Sequence, residues 1–423
     1  MRNRLRPAMI GLVDVNNCFV SCERVFDRSL VGRPVAVLSN NDGCCVSRSN
    51  EFKAPGIAMG TPYFQLKDRE ASGEIVFRSS NYELYGDMSR RFISVLRDEA
   101  LEVEQYSIDE AFIRPPHLAD GDFVAFGRRL RAKILRWTGL PCGIGFAPTK
   151  TLAKIANEKA KKTPGGVWQL PDDPTGTLAA LAAGDVWGVG RNLALQLRAE
   201  QVFTALDLRN APDDLLRSVG GVTLLRTAME LRGENCLDER DYDADPESIT
   251  CSRSFGEWVT TKEGIVESVA SFAAQAAEKL RRHAMLASGC NVFAQVHRTG
   301  GGGEFAERTV VFAAPTDATN EIIAAVRPAA EALFVPGLGY RKTGVVFFGL
   351  EKAGAARQLD LFAPVTAAES SPLYRAVDRL NAKYGAGRVF SAAEGVGAKA
   401  WAAKRSKLSR RATTSWDELP VVR

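Results

Sequence analysis

Histidine is scarce in this chain, three residues in 423, and the eight cysteines (18, 22, 44, 45, 142, 236, 251 and 290) never fall in a paired CxxC spacing. A structural zinc site needs four thiolate or imidazole ligands at short, regular spacings, so the composition speaks against one. Long apolar runs are missing too. The run behind the N-terminal arginines is broken by Asp14, Asn16 and Asn17, with no small-residue cleavage site after it. The expectation is a chain without signal peptide or membrane span, holding free thiols in a reducing cytoplasm. No charge sign dominates: 55 Lys+Arg against 50 Asp+Glu leave +5, a mild tilt toward polyanionic partners that does not separate a nucleic-acid binder from a slightly basic enzyme. What is there is ordinary globular material, 45% hydrophobic and 25% charged. At about 150 residues per domain, the length predicts roughly three domains.

Against that background two adjacent carboxylates stand out. Asp109 and Glu110 lie in the stretch 104–113, whose apolar flanks predict a buried strand. Neighbouring acids in a poorly solvated place raise one another's pKa or are neutralised by a cation. The pair alone suits equally a turn at a strand end. Asp14 shifts the balance, because it sits where a second apolar run, 9–13, becomes polar, and two strands ending in acids can meet in one sheet. An all-oxygen ligand set favours magnesium or manganese over zinc, and hard cations held by carboxylates usually handle phosphate esters.

Along the chain, residues 8–20 read as a strand leading into a helix from Cys18, and 34–39 as a second strand closed by the turn Asn40-Asn41-Asp42-Gly43. A stretch punctuated by Gly, Pro and Ser then runs to about residue 80. Helical spacing over 81–98 and 123–137 alternates with strands at 101–113 and 142–147, which predicts an α+β sheet domain holding all three acids. A basic helix, 150–162, ends at Thr163-Pro164-Gly165-Gly166. Residues 171–240 are helical, with Trp187-Gly188-Val189-Gly190 and Val219-Gly220-Gly221-Val222 each opening a helix. Such paired glycine turns suit helix-hairpin-helix units, whose main-chain N–H groups contact phosphate, and suit simple bundle loops as well. After an acid-rich linker at 234–247 the pattern resets to β-α-β-β-α-β over 251–350, with a glycine turn at 300–303. Beyond it come one helical piece at 371–384 and a basic tail in which Lys404, Arg405, Lys407, Arg410 and Arg411 have no acidic neighbour in sequence. That tail reads either as solvated and disordered or as a partner or DNA contact.

The segments Asp14-Val15-Asn16-Asn17-Cys18-Phe19-Val20-Ser21-Cys22-Glu23, Tyr106-Ser107-Ile108-Asp109-Glu110-Ala111-Phe112 and Ala153-Lys154-Ile155-Ala156-Asn157-Glu158-Lys159-Ala160-Lys161 resemble the Y-family DNA polymerases. The segment Ser39-Asn40-Asn41-Asp42-Gly43-Cys44 and the tail 408–422 resemble its UmuC-type branch, the catalytic subunits of bacterial DNA polymerase V. The resemblance implies a multidomain α+β fold, a right-hand polymerase with palm (1–30 and 81–168), small fingers (31–80), helical thumb with helix-hairpin-helix units (169–240), β-α-β-β-α-β little finger (250–352) and a C-terminal tail (353–423). It further implies error-prone translesion synthesis in the SOS response, adding dNTPs to a primer on damaged template. Asp14, Asp109 and Glu110, with the main-chain carbonyl of Val15, are then the ligands of two magnesium ions, replaceable by manganese. Asp14 and Asp109 bridge both ions, and Glu110 serves mainly the one at the primer end.

Phe19 falls at the family's steric gate against the ribose 2′-hydroxyl, with Cys18 where a larger aromatic is often found; a core phenylalanine in a strand-to-helix turn fits the same pattern. Lys53, Lys161 and, less directly, Arg48 match triphosphate-binding positions, each of which suits a solvated surface charge as well, and Asn50 replaces a tyrosine of other branches. Gly188, Gly190, Gly220 and Gly221 are the implied DNA-backbone contacts. Gln358-Leu359-Asp360-Leu361-Phe362 resembles the bacterial sliding-clamp-binding pentapeptide, an extended peptide with two apolar anchors. Primer-template DNA, dNTP, sliding clamp, a UmuD′-like dimer and RecA filaments are the implied partners, in the cytoplasm at the nucleoid. The alternatives are a DinB-type polymerase, opposed by the Asn-Asn-Asp-Gly segment and the tail, and a catalytically inactive DNA- and clamp-binding adaptor, which would have lost the acids.

Overall fold

A computed structural model of the chain describes residues 9–118, 121–237, 245–297, 303–354, 372–385, 387–397, 399 and 401–419. The pentapeptide at 358–362 lies outside the described residues, as do 238–244 of the acid-rich linker and 298–302 of the glycine turn. The chain divides into two units, one of Met1–Ser39, Gly43–Asp241 and Lys407–Arg423, the other of Asn40–Asp42 and Tyr242–Ser406.

The first unit is built on a five-stranded sheet. Its centre is β1 (Ile10–Val15), whose Gly-Leu-Val-Asp-Val run is buried along its length and so takes a place with neighbours on both edges. Asn17 then adopts a left-handed conformation (φ 49°, ψ 45°), tolerated by a short polar side chain, and turns the chain into α1 (Cys18–Phe26). The strand predicted over 8–20 therefore stops at residue 15. A smaller three-stranded sheet follows, β2 (Val35–Leu38), β3 (Cys45–Arg48) and, after the short helices α2 (Asn50–Lys53) and α3 (Lys67–Ala71), β4 (Val76–Ser79).

Asn81 caps α4 (Tyr82–Glu99) by accepting from the Leu84 amide, 3.2 Å. Next come β5 (Glu102–Gln105) and β6 (Glu110–Arg114), an antiparallel hairpin where the sequence predicted one strand over 101–113. Ser107 organises its turn: its hydroxyl oxygen accepts from the Asp109 and Glu110 amides at 3.2 and 3.0 Å. α5 (Phe123–Thr138) packs its apolar face with α4 on one side of the sheet, around Phe92, Phe126 and Ile134. β7 (Cys142–Ala147) lies on the other edge of β1, followed by α6 (Lys150–Ala160) and β8 (Val167–Gln169), which pairs parallel to β7.

At Gly145 of β7 an added Cβ would lie 2.1 Å from the Asn157 amide nitrogen, so only glycine lets α6 lie this close to the sheet. Behind α6 pack α7 (Thr175–Ala179), α8 (Arg191–Ala199), α9 (Ala205–Asn210) and α10 (Asp213–Leu231). Gly221 (φ 65°, ψ −161°) breaks α10 into two helical pieces at the predicted glycine turn. Its neighbour Gly220 faces Leu193 of α8, while Gly188 faces Thr227 of α10, so the two glycine turns lie side by side on each other's helices.

The second unit follows the predicted order: β9 (Ile249–Val259), α11 (Lys262–Arg282), β10 (Met285–His297), β11 (Gly303–Thr316), α12 (Thr319–Leu333) and β12 (Gly339–Lys352) form one antiparallel sheet, ordered β11-β10-β12-β9, with its own core around Phe255, Phe272 and Phe347. The helix α13 (Pro372–Tyr384) is held through a two-point ion pair between Arg281 and Asp378 at 2.6 and 2.9 Å.

The basic tail is not free of acids in space. Lys407 meets Glu70 at 2.7 Å and Arg411 meets Glu418 at 2.6 Å, while Leu408 pairs with Ser79 at the end of β4. The reading of this stretch as solvated and disordered is corrected on that ground.

Candidate active site

Register brings the acids together. Asp14 pairs directly with Glu110 across β1 and β6, and the hairpin turn places Asp109 beside them, with its carbonyl accepting from the Val15 amide at 2.9 Å. Burial raises the Asp14 carboxyl; the Lys161 ammonium, 3.2 Å away, pulls the other way, the neighbouring Glu110 adds to the rise, and the outcome is a pKa of about 7.

Each of the other acids has a partner. The Ser107 hydroxyl donates to Asp109 Oδ1 at 2.6 Å. Lys154 of α6 donates to Glu110 Oε2 at 2.5 Å, its ammonium 4.4 Å from the Tyr106 ring and 5.1 Å from that of Trp187. Among the described residues no three His, Cys, Asp or Glu side chains stand in a ready metal-binding cluster. The donor set nonetheless fits a hard divalent cation: every candidate ligand is oxygen, and the Asp14 carboxylate is buried away from water, a cost that a cation would offset.

The same cleft, about 360 Å³, carries Asp14, Val15, Phe19, Arg48, Lys53, Asp109 and Lys161 on its walls. Phe19 is half-buried, stacked on Tyr85 (centroids 4.4 Å apart, rings 12° from parallel) and edge-on to Tyr82 at 6.0 Å. Lys53 donates to Asn17 Oδ1 at 2.6 Å, and Asn17 Nδ2 donates to Asn50 Oδ1 at 3.1 Å. Burial lowers the Lys53 ammonium, and the like charges of Arg48 and Lys161 lower it further, against the opposite pull of Glu158 and Asp14. Lys161 is held above the usual lysine range: burial works against its charge, but Asp14 and Glu158 outweigh it. Arg48 donates to the Ile57 carbonyl.

Sequence reasoning did not single out Asn17, Asn157, Lys154 or Tyr85. Asn157, 1% exposed, donates to the carbonyls of Leu12 at 3.1 Å and Gly143 at 2.9 Å, tying α6 to both β1 and β7. A polar residue on the buried face of an amphipathic helix was the available signal for it. Gly188, Gly190, Gly220 and Gly221 lie in the glycine turns on α8 and α10, and none of them lines the cleft of the acids.

The impB/mucB/samB family pattern matches residues 13–158, its C-terminal domain 246–361, and a domain of unknown function 371–422. The chain is 42% identical to protein UmuC of Salmonella typhimurium over 97% of its own length and 99% of that protein's. It is 38% identical to MucB of Escherichia coli (98% and 99% covered) and 28% identical to DNA polymerase IV 1 of Bacillus subtilis (90% and 91%). In fold it matches a chimera of the Y-family DNA polymerases Dbh and Dpo4, with a TM-score of 0.63 at 19% identity, covering 81% of this chain and 99% of that one. With its family pattern and its relatives in agreement, the chain belongs to the impB/mucB/samB family, of UmuC type, and it has the fold of the Y-family DNA polymerases.

Proposed function

We propose that this chain extends a primer on damaged template, adding dNTPs with low fidelity in SOS mutagenesis, by two-metal nucleotidyl transfer. The observation that carries this reading is one cleft in which Asp14, Asp109, a half-buried aromatic and three basic side chains converge from segments spread between residues 14 and 161. Asp14, Asp109, Glu110 and the Val15 carbonyl hold two magnesium ions. When bound, these ions acidify the primer 3′-hydroxyl and neutralise the leaving pyrophosphate. Arg48, Lys53 and Lys161 take the triphosphate oxygens.

Phe19 presents an apolar ring to the sugar and offers a 2′-hydroxyl neither room nor a partner. In these terms the five-stranded sheet is the palm, the three-stranded sheet the fingers, α7–α10 the thumb with its phosphate-contacting glycine turns, and the β9–β12 unit the little finger. The sliding clamp binds through the pentapeptide Gln358-Leu359-Asp360-Leu361-Phe362, and a UmuD′-like dimer and RecA filaments cooperate in the cytoplasm; these partners rest on resemblance. The deciding experiment is magnesium-dependent primer extension on damaged template beside Asp109→Ala. Loss of extension in the variant is expected, and extension at the parent rate would overturn the metal assignment.

A further inference from the structure

The C-terminal stretch 407–412, part of the matched domain of unknown function, is built into the first unit rather than resting on it. Lys407 and Ser79 exchange hydrogen bonds: the Ser79 amide donates to the Lys407 carbonyl at 3.0 Å, and the Lys407 amide donates to the Ser79 hydroxyl at 2.9 Å. One residue on, Leu408 lies in parallel bridge with Ser79, so the segment adds to the open edge of β4. Asn81, which caps α4 with its oxygen, donates with its nitrogen to Ser409 Oγ at 3.0 Å.

Ser409 then reaches a buried carboxylate. Its hydroxyl donates to Glu23 Oε1 at 3.0 Å, and the same oxygen accepts from the Tyr85 hydroxyl at 2.7 Å. Glu23 is 1% exposed and Tyr85 is fully buried. Glu23 stands four residues after Phe19 on α1, hence on the same helical face, and both lie against Tyr85, one on its hydroxyl and one on its ring. The tail thus supplies one of the two donors on the carboxylate that fixes the aromatic platform under Phe19.

We propose that Ser409, through Glu23 and Tyr85, positions the Phe19 ring and so takes part in choosing the sugar of the incoming nucleotide. The proposal rests on the reading of Phe19 as the steric gate. A ring excludes a 2′-hydroxyl only while it cannot retreat. Tyr85 backs it on one face, and Tyr85 in turn is held by a buried carboxylate whose negative charge needs its donors. Ser409, Glu23 and Tyr85 are positioning residues; none lines the cleft.

The test compares single-turnover insertion of dNTP and the matching rNTP by the full chain and its Ser409→Ala, Ser409→Thr, Tyr85→Phe and Phe19→Ala variants. Expected is a fall of about fivefold in the dNTP-to-rNTP efficiency ratio for Ser409→Ala and for Tyr85→Phe, the scale of one lost hydrogen bond. Ser409→Thr, which keeps the hydroxyl, should retain the parent ratio. The double variant should fall short of the product of the singles, because both act on Glu23. Equal losses for dNTP and rNTP, leaving the ratio unchanged while Phe19→Ala collapses it, would overturn the relay and leave the gate standing. An unchanged ratio in Phe19→Ala would overturn the gate and the relay with it. Should Tyr85→Phe not fold, Ser409→Ala alone decides between these outcomes.

Discussion

Asp14 is the residue on which the site's electrostatics turn. Its carboxyl is raised from 3.8 to about 7, first by burial and then by Glu110. A carboxyl raised on folding favours the folded state most below its unfolded value, and that contribution is lost as pH rises through the folded value. Without divalent cation, Asp14→Asn should therefore gain stability over the parent at pH 8, by up to about 4 kcal/mol, and gain nothing near pH 3.5. Urea denaturation at the two pH values measures this; a pH-independent difference would refute it. Lys53 makes the second case. Burial, and then Arg48 and Lys161, depress it, so an anion is its natural partner, and Lys53→Ala should raise the KM for dNTP about tenfold with a smaller change in kcat, read by steady-state kinetics.

At the scale of elements, the decisive contact is α6 on β7. Gly145 leaves no room for a side chain against the Asn157 backbone, and Asn157 itself holds the carbonyls of Leu12 and Gly143. Gly145→Ala should force α6 outward, costing about 2–3 kcal/mol by overpacking and moving Lys154 and Lys161 off the acids. Thermal unfolding and primer extension, measured together, check it, and an active variant of parent stability would contradict it. Periodicity made α4, α5 and α11 legible, since each carries an unbroken apolar face. The hairpin β5–β6 was not legible. Its turn contains no Gly, Pro or Asn, and is made instead by Ser107 satisfying two amides of its own neighbours.

Across the whole molecule, each unit buries its own apolar residues, the first in separate clusters around Phe92 and Phe146 and around Leu152, the second in one around Phe272 and Phe347. Unfolding should then be poorly described by a single two-state transition. Phe272→Ala, fully buried in the second unit, should lower one transition by about 3–5 kcal/mol and leave the other in place, as differential scanning calorimetry can show.

By itself the sequence determined the acids and their apolar strands, the long helices and the order of the second unit, because these are local patterns in which residue type and spacing carry the physics. Only the tertiary structure decided the rest. The pairing of Asp14 with Glu110 is a matter of strand register. Lys154 answers Glu110 from 44 residues away, and Ser409 answers Glu23 from 386. A charge or a buried donor has no preference for a partner near in sequence, so its partner is settled when the chain closes and water is expelled between them.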